Sequence, residues 1–301
     1  MNTASKPRVA LCGHNEPYEL VRRALELEGS FAGLAANAAR VFIKPNVTYP
    51  MPSGTGAVTD SRVLGALLEA LRDAGAGRII VGDGPGKSLA HDGFEVAGYV
   101  PFGRKYDVTF VDLNRARTRT VTVERPRAIA ELEIPEVVLE ADLFITVSPL
   151  KTHSDGLLTL NAKNLFGIPP TRFYGSPRAI LHLKGVDEVV HDICRAAPPH
   201  YAIADATTVM ELGVARGKAV AIGAIVAGAN LVATDAVSAR LIGRDPRECP
   251  YLIYMHEDGL GPLDFNEIDL VGDPLDGLAQ RLDLTSDKTP RDWAIGDESP
   301  W

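Results

Sequence analysis

Residues 7–150 alternate between two hydrophobic patterns. Short continuous apolar runs are followed by stretches in which apolar residues recur every three or four positions. "RVALCG" is such a run, and "EPYELVRRALELEG" after it has helical spacing at Leu20, Ala24 and Leu27. "ARVFIKPN" reads as a strand ending in Lys44, Pro45 and Asn46. "TDSRVLGALLEALRDAGA" predicts the clearest helix. Thr59 or Asp60 caps it, Leu64, Leu67, Leu68 and Leu71 line one face, and Gly75 stops it. "GRIIVGDGPG" predicts a strand running into a Gly-rich turn. "YDVTFVDL" predicts another strand, "RTRTVTVERP" a hairpin, and "ADLFITVSPL" a buried strand. Downstream, residues 187–196 read as a helix, "YAIADAT" as a strand ending near Asp205, and "LVATDAVSARLIG" as a helix carrying Asp235.

Uninterrupted apolar positions such as Phe144, Ile145 and Val147 suit strands covered on both faces. Strands alternating with helices predict an α/β fold. The expectation is a doubly wound, mostly parallel sheet in two closely packed lobes, with a crevice between them. One enzyme-like α/β unit is expected over 1–284, with a polar, Pro-containing tail over 285–301. No solenoid-type repeat is present. Both tryptophans, Trp293 and Trp301, fall in the tail, which is therefore a candidate contact to the body or to a second subunit in a homo-oligomer.

Composition narrows the classes. Of 301 residues, 46% are hydrophobic and 23% charged, a globular balance, and the net charge of −8 offers no basic field for nucleic acid or an anionic membrane. The start, "MNTASKPRV", lacks a signal-peptide core, and "AVAIGAIVAGANLVA" is too short and Gly-rich to span a bilayer. Cys12, Cys194 and Cys249 are far apart, so neither a disulfide framework nor an iron–sulfur cluster is expected. A cytoplasmic location follows most simply.

In open parallel sheets, ligands bind beyond the carboxyl ends of the strands. Several expected strand ends here finish in polar residues: Lys44 and Asn46; Asp83 with Gly84; Lys151 and His153; Asp205. Each alone is an ordinary loop residue, but together they mark one cleft. "VGDGPGKS" misses the G-x-x-x-x-G-K-[ST] phosphate loop by one position, because Val81 stands six before Lys87. A tight turn needing positive φ is the preferred reading of its glycines.

"SPLKTHSDGLLTLNAKNLFGIPP" (148–170) is the densest chemistry in the chain. Ser154 or Asp155 is expected to cap a helix over 156–166, placing Thr159 and Lys163 on one face. An amine beside an imidazole in a Gly- and Pro-bounded pocket acquires a shifted pKa and catalytic use. Lys151, His153, Lys163 and Asn164 are thus candidate site residues. Asp205 and Asp235 are compatible with holding a divalent cation, and Asp235 equally with serving a helix dipole.

"FIKPN", "VGDGPG", the 148–170 block, "YAIADAT" and "VATDAVSARLIG" stand in an order that resembles the domain-of-unknown-function family 362 over residues 40–245. Many members carry ferredoxin-like cysteine motifs. Those are missing here, so the cluster and its electron-transfer role do not carry over. "MELGVARG" (210–217) also departs from the Gly/Pro-rich turn usual in the family. The spacing of His153 and Lys163 further resembles the His…Lys block of nickel-pincer lactate racemases, where the lysine anchors the cofactor and the histidine binds metal. The other catalytic histidines of that family have no counterpart, so only its architecture is implied.

The function expected is proton transfer next to a carboxylate or carbonyl of a small anionic metabolite, of isomerase, epimerase, cyclase or lyase type. His153 is the expected acid or base and Lys163 the stabiliser of developing negative charge. Lys44 and Lys151 would position the anion, with Asn46, Asp83, Gly84, Asn164 and Asp205 lining the cleft. Two alternatives stand beside it: a metal-dependent or redox enzyme using His153 with aspartates, and a non-catalytic anion-binding protein.

Overall fold

The computed structural model describes residues 5–14, 16–152, 158–213 and 217–283. The tail with Trp293 and Trp301 lies outside them, as does His153. Eleven strands are described: β1 (Arg8–Gly13), β2 (Arg40–Lys44), β3 (Arg78–Asp83), β4 (Val108–Asp112), β5 (Thr118–Thr122), β6 (Glu131–Pro135), β7 (Leu143–Thr152), β8 (Leu158–Thr159), β9 (Tyr201–Glu211), β10 (Lys218–Gly228) and β11 (Asp269–Gly272). Nine of them form one sheet in the order β11-β1-β10-β9-β7-β2-β3-β4, with β8 added to β7. The β2–β3, β3–β4, β2–β7, β7–β9 and β1–β11 pairs are parallel, and β10 runs antiparallel between β1 and β9. The fold is α/β with a mostly parallel sheet.

Every residue of β7 is buried, because layers cover both sheet faces. Ile43, Ile145 and Val147 point into one apolar core, with Leu64, Leu67, Leu68 and Leu71 of the Ser61–Asp73 helix. Each of these leucines is fully buried and adds about 1.5–3 kcal/mol of apolar transfer before entropy is charged against it. Asp60, not Thr59, caps this helix, its side chain accepting from the Arg62 N–H. On the other face, Phe42, Phe144 and Leu150 meet the Val186–Ala196 and Leu231–Leu241 helices. The Pro17–Glu28 helix buries Leu20, Val21, Ala24 and Leu25, while Leu27 lies outside that seam and is exposed.

Four other expectations need correction. The hairpin is wider than "RTRTVTVERP": β5 pairs with β6, so the connection runs through 123–130. Residues 158–159 are not helical; Leu158 and Thr159 form β8 against Thr152 and Lys151, and a helical turn begins only at Asn161. Thr159 therefore shares no helix face with Lys163. Gly82, Gly84 and Gly86 do not have positive φ. They are small because neighbours press close: a Cβ on Gly84 would lie 2.5 Å from the Gly167 carbonyl oxygen, and one on Gly86 2.7 Å from the Pro177 Cβ. Finally, Asp205 does not end its strand, since β9 continues to Glu211.

The chain leaves β2 through β3 to β4, then returns to place β7 on the opposite side of β2. The boundary between β2 and β7 is a topological switch point, where connections diverge and leave room at the carboxyl ends.

Candidate functional site

Six of the expected residues meet at that switch point. Lys44 ends β2, and its ammonium lies 2.5 Å from Asp83 Oδ1 at the end of β3. Lys44 Nζ also donates to Asn164 Oδ1 at 3.1 Å and to the Pro45 carbonyl at 3.2 Å. Asn46 donates to the same Asn164 oxygen at 3.1 Å, and its own Oδ1 accepts from Lys151 Nζ at 3.0 Å. Lys151 makes a second bond, 2.7 Å, to the Ala57 carbonyl. Asp83 Oδ2 accepts from the Val47 N–H and Oδ1 from the Gly84 N–H, both at 2.8 Å. One network thus ties the ends of β2, β3 and β7 to the turn at Asn161–Asn164.

The network is interior: Lys44, Asn46, Asp83, Lys151 and Asn164 are between 1 and 6% exposed. Burial without full compensation disfavours charge on an amine. Desolvation lowers the pKa of Lys44, against the opposing pull of Asp83. Lys151 falls to about 7, first through burial and then through repulsion from Lys44 and Lys163, with Asp83 opposing. As a neutral amine it has two N–H bonds for its two acceptors and a lone pair left over.

Lys163 is half-buried on the same turn, near enough for its charge to act on Lys151. Asp205 is 1% exposed and has its hydrogen bonds on another segment. It accepts from the Asp60 N–H at 2.8 Å and the Thr207 hydroxyl at 2.6 Å, and burial raises its pKa to about 6. Asp235 reaches across from the Leu231–Leu241 helix and accepts from the Asn161 and Ala162 N–H groups at 3.0 and 2.8 Å. It thereby holds the first turn of the segment that presents Lys163 and Asn164. Asp235 meets the start of a helix on another segment rather than the start of its own, which Asn230 caps.

Sequence reasoning missed three participants. Thr59 accepts from the Asn46 N–H at 2.9 Å and donates to the Val147 carbonyl at 2.8 Å, joining β2 to β7. Thr146 accepts from Asn164 Nδ2 at 3.0 Å. Arg178, 3% exposed, lies over the network and donates to the Pro169, Gly84 and Gly167 carbonyls at 2.6, 2.7 and 2.9 Å. Burial lowers its pKa to about 10. Thr59 was visible as a cap alternative. Thr146 and Arg178 carry no local signal, since their partners are 18 residues or more away for Thr146 and up to 94 for Arg178.

Among the described residues, no three His, Cys, Asp or Glu side chains come together as a metal site. Among their histidines, His191 lies between Asp192 and Asp258, His182 lies against the Phe166 ring, and His200 accepts from the Phe144 N–H. No helix among them is long and apolar enough to cross a membrane.

Comparison with known proteins bears on the family and the fold. The domain of unknown function DUF362 matches residues 41–240, more than half of the chain. A thylakoid-associated protein of Synechocystis sp. is 26% identical over 249 residues, covering 80% of this chain and 75% of that protein. The lactate racemase apoprotein of Thermoanaerobacterium thermosaccharolyticum shares the fold, with a TM-score of 0.51 at 17% identity over 78% of this chain. The chain spans 57% of that racemase's length.

Proposed function

The chain belongs to the DUF362 family, and on that premise we propose that it is an enzyme transferring a proton next to a carboxylate or carbonyl of a small anionic metabolite. One observation carries the reading. Two buried cationic side chains, Lys44 and Arg178, and the Lys151 amine, which titrates near pH 7, are gathered about a single buried carboxylate, Asp83. In a chain of net charge −8, that local excess of positive charge is costly unless an anion balances it. The fold shared with a lactate racemase supports the same class, since that protein's name describes an isomerase of a small carboxylate.

In this reading Lys44 is a positioning residue, pinned by Asp83 and Asn164. Lys151, about half protonated near pH 7, accepts the proton in its neutral form and returns it, and its amine lies where β2 and β7 diverge. Lys163 stabilises negative charge developing on the substrate. His153 completes the acid–base pair as the sequence expects. The site needs no iron–sulfur cluster, and a divalent metal would have to draw on His153. A cytoplasmic location belongs to the same reading; association with a thylakoid, as in the name of the Synechocystis relative, is the alternative.

The test is a screen of small carboxylates and oxo acids for isomerisation or elimination, repeated with Lys163→Ala and His153→Ala. Both variants are expected to fold and to lose turnover. Normal turnover in either would remove the role given to that residue.

A further inference from the structure

Arg178 stands at the start of the Ala179–Leu183 helix with φ 77° and ψ 43°, the left-handed region that favours glycine. A residue other than glycine persists there when its surroundings hold it, and here the side chain does the holding. Its guanidinium is a planar fork of donors. Nη2 donates to the Gly84 carbonyl at 2.7 Å and to the Gly167 carbonyl at 2.9 Å, and Nε to the Pro169 carbonyl at 2.6 Å. Those two glycines flank the Lys44–Asp83 pair. The Gly84 N–H donates to Asp83 Oδ1 at 2.8 Å. Gly167 follows Asn164 by three residues, and a Cβ on it would lie 3.0 Å from both Asp83 Oδ1 and Lys44 Nζ. One nitrogen of Arg178 therefore bridges two turns that meet across a buried ion pair.

We propose that Arg178 is a positioning residue: its guanidinium fastens the Gly84 and Gly167 turns together over Lys44 and Asp83, and so fixes the place of the Lys44 ammonium. The geometry stands on the three carbonyl bonds; its purpose in turnover rests on the proton-transfer reading above. The same closure bears on charge. Burial is the main cause of the lowered Lys44 pKa, and the Arg178 charge lowers it further against the pull of Asp83. Removing the guanidinium admits water and takes away a like charge, and both favour the protonated amine.

The experiment uses the full chain, with methylguanidinium chloride as probe and sodium chloride at equal ionic strength as reference. Lysines are labelled with ¹³C at Cε, and the Lys44 signal is identified by its loss in Lys44→Arg. Arg178→Ala is expected to move the Lys44 titration to higher pH, and methylguanidinium to move it back. Arg178→Lys keeps the charge but not the planar fork, and is expected to move it as well. A folded Arg178→Ala in which Lys44 titrates as in wild type overturns the inference, and so does a wild-type titration in Arg178→Lys, which would leave the charge acting without the bridge. One readout needs no variant: in ¹⁵N-arginine wild type, the Arg178 Nε–H, recognised by its proximity to Pro169, is expected to exchange slowly with water. Fast exchange there also overturns the inference. For any carboxylate that the wild type turns over, Arg178→Ala is expected to lose about 100-fold, with recovery in methylguanidinium. Turnover unchanged in Arg178→Ala overturns the positioning role. A wild type that turns over no carboxylate counts against the proton-transfer reading alone, and the titration still decides whether the clamp exists.

Discussion

Lys44 Nζ and Asp83 Oδ1 lie 2.5 Å apart, with side chains 1% and 3% exposed. Neither has water to fall back on. Removing one partner leaves the other as an uncompensated interior charge. Asp83→Asn is expected to lower stability by about 3–5 kcal/mol in urea denaturation. The double variant Lys44→Met/Asp83→Leu is expected to cost less than the single one, because it removes both charges. A wild-type midpoint for Asp83→Asn would mean that the pair does not hold the ends of β2 and β3 together.

Lys151 sets a second expectation, with a definite sign. Its native pKa is about 7, against about 10.4 for an unfolded lysine. Between those values the unfolded chain holds a proton that the native chain does not. Stability from this group therefore rises as pH climbs from 7 towards 10, by at most about 4 kcal/mol. Below pH 7 both states are protonated and the burial penalty is fully present. Lys151→Met is expected to flatten that rise in denaturation curves taken at successive pH values. Equal slopes in wild type and variant would place the lysine's titration elsewhere.

The glycines near the site give a contrast within one chemical type. Gly84→Ala would drive a Cβ to 2.5 Å from the Gly167 carbonyl oxygen and 2.9 Å from Arg178 Nη2. Backbone on one side and a pinned guanidinium on the other leave little room to relax. A loss of about 1–3 kcal/mol is expected in thermal unfolding. Gly33 sits in the Phe31–Ala36 helix with nothing within 4 Å of its Cβ position. Gly33→Ala is expected to stabilise by about 0.5–1 kcal/mol. The opposite order would refute the close-packing explanation.

Much of this was legible in the sequence. β2, β3 and β7 announce themselves as apolar runs ending in Lys44, Asp83 and the 148–152 stretch, and the rule for parallel sheets puts those ends together. The Ser61–Asp73 helix is read correctly because its leucines repeat at helical spacing and Asp60 caps it. What failed depends on contacts between distant segments. "LLTLNAKN" has helix-compatible composition, yet pairing with β7 makes Leu158 and Thr159 a strand. The glycines of "VGDGPG" look alike whether they serve a turn or a close approach, and only the neighbouring Gly167 and Pro177 tell which. Asp205 looks like a strand end because "DAT" is polar, but pairing with β10 carries the strand through it.

Asp235 links two elements that share no sequence pattern. Asp235→Ala would leave the Asn161 and Ala162 N–H groups without their acceptor. The expected result is a loss of about 1–3 kcal/mol and faster hydrogen exchange at those two amides. Unchanged exchange would show that the Asn161–Asn164 turn is held by other contacts.

The most direct test of the account follows the proton itself. Small 2-hydroxy, 2-oxo and unsaturated carboxylates are incubated in D₂O with wild type and with Lys151→Met, and deuterium entering at carbon is read by NMR. The account predicts exchange next to the carboxylate or carbonyl in at least one compound, increasing through about pH 7 as Lys151 loses its proton, and absent in the variant. Exchange that proceeds equally well without the Lys151 amine, or none above the buffer rate in any compound, would contradict it.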